Sequence, residues 1–229
     1  MNTAKENILK KLSRNQGHKS TSAFMFKDKG NEKEEEEISS DDTHGLVLFI
    51  SKLKQNRIEV YQTPTQDWSE CLLQVIKEKK ITTCLLGKGN SIQESASTVL
   101  SKCSKDTEVI YYNEAYEGMK NKLFHHAQAS VTSAKAAIVD TGTLLLIPDQ
   151  AEPRMMSLTP EINIIVLHQS NLFSSFHQLV KTQLWDKNNL PSNIVFISSP
   201  SKTADIQQTL AYGAHGPKEV IVILVEDNN

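Results

Sequence analysis

Apolar residues recur from residue 44 onward with two alternating periods. Some segments space them every three to four residues, as in a helix, and short apolar or alternating segments typical of strands lie between. The predicted helices are Leu46–Leu53, Trp68–Lys79, Ser91–Ser101 and Tyr116–His126, and the predicted strands are Arg57–Gln62, Thr82–Gly87 and Glu108–Tyr112. This alternation predicts βα units and a largely parallel sheet that is covered by helices.

The second half of the chain has strands that follow one another more closely. The predicted strands are Ala134–Asp140, Leu144–Ile147, Ile162–His168, Ile194–Ser198 and Val220–Glu226, with a helix over Phe173–Leu184. Because the first two are separated only by Thr141–Thr143, they indicate an antiparallel excursion inside an α/β domain. The predicted fold class is therefore α/β.

The first 43 residues differ in composition from the rest. Residues 1–16 predict a short helix with one apolar face. Residues 17–43 are rich in carboxylates and poor in apolar side chains, so they are predicted to be a flexible acidic linker. An acidic partner-binding segment is the alternative. Residues 44–229 are predicted to form the α/β domain.

Composition excludes several classes of protein. The 229 residues carry a net charge of −2, which argues against nucleic-acid binding through bulk charge. No apolar run is long enough for a membrane span, and the first residues lack the apolar stretch of a signal peptide. The three cysteines, Cys71, Cys84 and Cys103, are too far apart for a disulfide framework or an iron–sulfur ligand set. We therefore expect a cytoplasmic protein without a cofactor of its own.

Four segments of the second half of the chain are candidates for a binding site, and the first two are a turn and a loop. The turn Asp140–Thr143 offers backbone amides to an anion, or is a simple hairpin turn. Arg154 lies in a proline-rich loop, where its planar guanidinium matches a carboxylate or phosphate. Alternatively, Glu152 or Asp149 holds Arg154 in a surface ion pair.

A third segment combines hydroxyls with a lysine directly after a predicted strand. Ser201, Lys202 and Thr203 suit an anion site at a helix N-terminus. Ser201 or Thr203 could instead cap a helix that starts near Ala204, with Asp205 complementing its dipole. Capping does not require Lys202.

The fourth segment is the loop Gly213–Pro217, which holds His215 between two glycines. His215 is a candidate for proton transfer near neutral pH, or a structural histidine. In the first half, Gly87–Gly89 is interpreted as an ordinary turn between a strand and a helix. Ser91 and Glu94 have the spacing of a capping box for that helix.

Taken in order, these segments resemble the LUD-domain family, which includes lactate utilization proteins. The motifs that carry the resemblance are Ala136–Leu145, Arg154 with Ser157–Pro160, Pro200–Ile206 and Gly213–Val225. The resemblance covers about residues 44–227, and four motifs in the same order are more specific than any one of them.

The resemblance implies a fold and a role. The fold is a three-layer α/β/α domain with a mainly parallel sheet, similar to the NagB/RpiA/CoA-transferase-like superfamily. The role is in the oxidation of L-lactate to pyruvate, with iron–sulfur partner proteins that carry any cluster, and with a small anionic ligand. The sequence leaves open whether the protein forms a homodimer. The alternatives are a self-sufficient acyl-transferase or ligase-type enzyme on CoA- or folate-like substrates, and a non-catalytic assembly or regulatory module.

Site residues follow from the matched motifs. The candidate ligand-binding residues are Thr141, Gly142, Thr143, Arg154, Ser201, Lys202, Thr203, Asp205 and Gly216. His215 and Asp140 are the candidate catalytic residues, with Asp140 either orienting His215 or acting as the reactive carboxylate. The turn, Arg154, Lys202 and His215 are expected to converge at the strand ends. The chain departs from the family pattern at Asp140 in place of glutamate, at Asn163 in place of histidine and at Gln207 in place of glutamate.

Overall fold

The helices and strands of the described residues run from Thr43 to Glu226. The computed structural model describes residues 43–102, 107–182, 191–204, 210–212 and 216–227, with only the backbone for 202–204 and 210–212. All of them fall within one compact unit, residues 37–229. The predicted helix 1–16 and linker 17–43 lie outside the described residues, except for Thr43.

The predicted helices and strands occur in the predicted order, and four further strands were not predicted, at Ala129–Ser133, Leu172–Phe173, Lys202–Ala204 and Leu210–Tyr212. The helices are α1 Thr43–Gln55, α2 Trp68–Glu78, α3 Ser91–Lys102, α4 Tyr116–Asn121, α5 Met155–Leu158 and α6 Phe176–Thr182, with a π-helical turn Lys122–His126 and a 3-10 turn Gln169–Asn171. The strands are β1 Glu59–Pro64, β2 Thr83–Leu86, β3 Glu108–Tyr111, β4 Ala129–Ser133, β5 Ala136–Ile138, β6 Thr143–Leu146, β7 Ile162–His168, β8 Leu172–Phe173, β9 Val195–Ile197, β10 Lys202–Ala204, β11 Leu210–Tyr212 and β12 Glu219–Glu226. No helix of the described residues is long and apolar enough to cross a membrane.

Six strands form the main sheet in the order β1-β12-β7-β4-β2-β3. Every neighbouring pair is parallel, which confirms the predicted parallel sheet. The central strands β7 and β12 are almost wholly buried, since both of their faces are covered. Their continuous apolar sequences are typical of such strands.

Helices and a smaller sheet cover the two faces of the main sheet. On one face, α2 and α3 pack against alternate apolar residues of β2, β4, β7 and β12. On the other face, α1 and the smaller sheet cover β7 and β12, and the α4 and α5 region covers β2 and β3. The three-layer α/β/α architecture is thus confirmed.

The smaller sheet has four strands in the order β8-β5-β6-β9. Strands β5 and β6 form the predicted antiparallel hairpin, and β9 pairs antiparallel with β6. Residues on its inner face, such as Ala137 and Leu144, pack onto the main sheet. Helix α6 lies against its outer face, where Leu179 is fully buried.

Two predictions about helix termini are wrong. The segment Lys202–Ala204 is strand β10, which pairs antiparallel with β11, and no helix starts at Ala204 because its backbone pairs with Leu210. Helix α3 has no capping box from Ser91. Instead Asn90 Oδ1 accepts a hydrogen bond from the Gln93 backbone N–H at 2.8 Å, so the cap stands one residue earlier.

Candidate functional site

The direction of the chain connections reverses between β2 and β4, which are neighbours in the sheet. From β2 the chain passes through α3 to β3 on one side, and from β4 it passes through the smaller sheet and α5 to β7 on the other. Helix α3 packs with Leu86 and α5 packs with Leu85, so the two connections cross opposite faces of the sheet. Open α/β sheets bind ligands in the crevice outside the carboxyl ends of the strands at such a reversal.

A buried carboxylate lies at this crevice. Glu152 is only 8% exposed. Its Oε1 accepts hydrogen bonds from Asn90 Nδ2 at 2.8 Å and Gln93 Nε2 at 3.0 Å. Its Oε2 accepts bonds from the Ser133 backbone N–H at 2.7 Å and the Ser133 hydroxyl at 2.9 Å. Glu152 therefore connects the start of α3 with the carboxyl end of β4.

The loop after β2 is held against the loop that contains Glu152. The Lys88 backbone N–H donates to the Ala151 carbonyl at 3.1 Å, and the Gly87 N–H donates to Gln93 Oε1 at 2.8 Å. A Cβ at Gly87 would lie 1.8 Å from the Ala151 oxygen, so only glycine fits there. The sequence of Gly87–Gly89 predicts only an ordinary turn, so the close approach of the two loops was not predicted.

Two cationic side chains lie on these same loops. Arg154 is exposed at the N-cap of α5. It forms no ion pair with Glu152 or Asp149, because Glu152 is engaged as described and no Asp149 oxygen lies within ion-pair distance. The ion-pair alternative is therefore not observed for Arg154 with these two residues. The Lys88 ammonium lies 5.1 Å from the centre of the Tyr111 ring.

The turn Asp140–Thr143 is packed onto the end of α1. Gly142 has a φ of +63°, and a Cβ there would lie 2.8 Å from Lys52 Cβ. Asn56 Nδ2 donates to the Thr141 carbonyl at 3.2 Å. The turn is thus a hairpin turn with a backbone conformation and a packing contact that both favour glycine, and Asp140 beside it is exposed.

Hydroxyl groups link this turn to the segment after β9. Thr143 Oγ1 lies 2.7 Å from Thr141 Oγ1 and 2.8 Å from Ser198 Oγ. Three residues later, the Ser201 N–H donates to the Pro217 carbonyl at 2.8 Å, and a Cβ at Gly216 would lie 3.4 Å from Ser201 Cβ. The structure therefore brings the predicted turn, Ser201 and Gly216 into one region, near the start of β12.

Arg154 is not brought to that region. Leu146, at the end of β6, lines a small cavity together with Glu152 and Pro153, whereas Thr143 begins the same strand beside Ser198. The predicted residues thus lie at two opposite ends of β6. For Lys202 and Thr203 the structure describes only the backbone, and Asp205 and His215 lie outside the described residues. Their roles stay predictions.

A buried polar cluster lies between β4 and β7, where Ser130 is paired with Asn163. Asn163 is fully buried, and its Oδ1 accepts hydrogen bonds from Thr132 at 2.9 Å and Ser130 at 3.3 Å. Thr132 also lines the small cavity beside Glu152. This cavity has a volume of about 10 Å³, which is enough for about one water molecule. In the part of the chain that the structure describes, no group of three or more His, Cys, Asp or Glu could hold a metal ion.

The fold and the crevice define an open α/β protein with a candidate site at the switch point of its parallel sheet. The family comparison agrees with the motifs that the sequence carries. Residues 46–225 match the LUD domain, and this chain therefore belongs to the LUD domain family.

Individual relatives extend over most of the chain. An uncharacterized protein of Neisseria meningitidis is 29% identical over 79% of this chain and 76% of its own length. Lactate utilization protein C 1 of Bacillus mycoides is 28% identical over 74% of each chain. The crystal structure of a DUF162 family protein from Deinococcus radiodurans has a TM-score of 0.59 with 16% identity, and it covers 82% of this chain and 99% of that chain. This last likeness shows the same fold.

Proposed function

We propose that this protein takes part in lactate utilization, in the oxidation of L-lactate to pyruvate. The family membership and the relatives named lactate utilization protein C support this role. Because the three cysteines are widely spaced, we place any iron–sulfur cluster in partner proteins. In our proposal the electrons pass to iron–sulfur partner proteins.

We place the carboxylate of the ligand at Arg154. The observation that carries this assignment is that an exposed guanidinium lies on a loop of the switch-point crevice and pairs with no carboxylate among the described residues. A guanidinium presents two parallel N–H donors to a carboxylate, which a lysine cannot reproduce. The neighbouring Glu152 does not compete for it, because four other donors engage that carboxylate.

Calorimetric titration of the purified chain with L-lactate tests the anion site. The Arg154→Ala protein is expected to bind L-lactate at least tenfold more weakly, since a charge-assisted hydrogen bond contributes about 1.5–3 kcal/mol. The Arg154→Lys protein is expected to bind L-lactate with an affinity between those of the wild type and Arg154→Ala. Lysine keeps the positive charge but cannot donate two parallel hydrogen bonds. Lys120→Ala, which removes an exposed cation of α4, is the control. Equal affinity of the wild type and Arg154→Ala would refute the anion site.

The role in lactate utilization is tested in cells. A Bacillus strain that lacks its own lactate utilization protein C is expected to regain growth on L-lactate when it expresses this chain together with the iron–sulfur partners of this chain. In extracts, L-lactate-dependent dye reduction is expected only when the partners are present. Turnover by the purified chain alone would instead favour the self-sufficient enzyme. Loss of partner binding on deletion of residues 1–42, with lactate binding intact, would favour the assembly module.

A further inference from the structure

We infer that Glu152 is a positioning residue, which joins the loop after β2 to the loop of Arg154 and so fixes both walls of the crevice. The inference depends on the proposed function only for the identity of the ligand. Glu152 belongs to neither of the residue sets that the sequence motifs assign to binding or catalysis.

The Glu152 carboxylate accepts a full set of hydrogen bonds from the protein. An ionised carboxylate offers about four lone-pair positions, and Glu152 receives four hydrogen bonds from Asn90, Gln93 and Ser133. No position is left for a proton or hydroxyl of a ligand unless one of these bonds breaks. The geometry therefore favours holding the loops over proton transfer.

The donors to Glu152 come from two separate segments of the chain. Asn90 immediately precedes α3, Gln93 lies in its first turn, and Ser133 is the last residue of β4. These segments come from the two strands that flank the chain reversal. Glu152 is thus the point at which both sides of the crevice are joined to a third segment.

The loop that carries Arg154 has little conformational freedom once Glu152 is fixed. Asp149 Oδ1 accepts the backbone N–H groups of Ala151 and Glu152, each at 2.8 Å. Pro153 then restricts the backbone immediately before Arg154, where α5 begins. Because Glu152 is held by hydrogen bonds and α5 packs on the sheet, the backbone position of Arg154 is fixed.

A Glu152→Gln substitution tests this role with little change in volume. In one orientation of the amide, its NH₂ group faces the Asn90 and Gln93 N–H donors, and in the other it faces the Ser133 backbone N–H, while the Ser133 hydroxyl can turn to accept. At least one donor thus loses its acceptor in either orientation. We expect the contact between the two loops to loosen. Hydrogen exchange of the Lys88 amide, which donates to Ala151, should become about tenfold faster or more, and the L-lactate affinity should fall by a similar factor.

Two further variants complete the design. Glu161→Gln is the matched control, since Glu161 is an exposed carboxylate paired with Lys218, and it should change neither measurement. Ser133→Ala removes one of the four donors and keeps the backbone, so it should show a smaller change in the same direction. If Glu152→Gln does not fold, the same two measurements on Ser133→Ala test the positioning role of Glu152.

The two measurements separate the inference from the proposed function. If wild-type protein does not bind L-lactate, the proposed ligand is wrong, while Lys88 exchange still reports on Glu152. If Lys88 exchange and lactate affinity are both unchanged in Glu152→Gln, the positioning role is wrong. It is also wrong if exchange rises equally in Val222 of the central strand β12, because that result indicates general destabilisation.

Discussion

Gly87 and Gly142 are required for different physical reasons. At Gly87 the obstacle to a side chain is space alone, because the Ala151 carbonyl oxygen lies where a Cβ would be. At Gly142 the left-handed φ of +63° adds strain to close packing against Lys52. The glycine of the hairpin turn could be predicted from the sequence, since such turns favour positive φ. The requirement at Gly87 could not, because its neighbour is 64 residues away in the chain.

The Gly87→Ala protein is expected to be less stable by about 1–3 kcal/mol, because the added methyl group forces the two loops apart. Urea unfolding followed by circular dichroism measures the difference. Gly216→Ala is the comparison, since its Cβ meets Ser201 at an ordinary 3.4 Å. If the stability of Gly87→Ala is unchanged, the loop that contains Ala151 can move away from the added methyl group without loss of unfolding free energy.

Helix α1 shows how an element can be predicted while its buried face depends on packing. Its apolar spacing indicates a helix. In the structure Phe49 and Leu53 are fully buried against β12 and the smaller sheet, whereas Val47 is 60% exposed. A similar selection occurs in α6, where Leu179 is buried but Phe176 is half exposed. Periodicity identifies the helix, and its contacts decide which apolar residues contribute to the core.

The Phe49→Ala protein is expected to lose about 3–5 kcal/mol of unfolding free energy, because the substitution leaves a cavity between α1 and the sheets. Val47→Ala on the same helix should change it by less than about 0.5 kcal/mol. Chemical denaturation of both proteins provides the comparison. Similar losses at the two positions would contradict the orientation of α1.

At the scale of the whole molecule, the segment that follows β12 is hydrogen-bonded to the segment that follows β7. Strand β12 is inserted between β1 and β7. Directly after it, Asp227 accepts a bond from the Ser170 N–H at 2.7 Å, and its other oxygen lies 3.0 Å from His168 Nδ1. Burial raises the pKa of Asp227, but the hydrogen bonds from Ser170 and the interaction with His168 outweigh it, so the pKa lies below its usual value.

This lowered pKa predicts a dependence of stability on pH. Because the folded pKa is lower than the unfolded one, the contribution of Asp227 is present above the unfolded value of about 3.9 and is lost as the pH falls through the folded value. We expect Asp227→Asn to lower the melting temperature at pH 7 and to have a smaller effect near pH 3. Asp67→Asn, at an exposed aspartate, is the control. An equal effect of Asp227→Asn at both pH values would contradict the assignment.

The sequence by itself determined most of the elements, the parallel sheet and the family, but it did not indicate β4, β8, β10 or β11. Hydrophobic periods depend on residues two to four positions apart, and the apolar sequences of β7 and β12 indicate strands that are buried on both faces. The tertiary structure decided the order of the strands, and with it the chain reversal between β2 and β4. It also decided that Glu152 is a buried acceptor and no ion-pair partner of Arg154. These outcomes depend on contacts between segments that are remote in the chain, which no local pattern encodes.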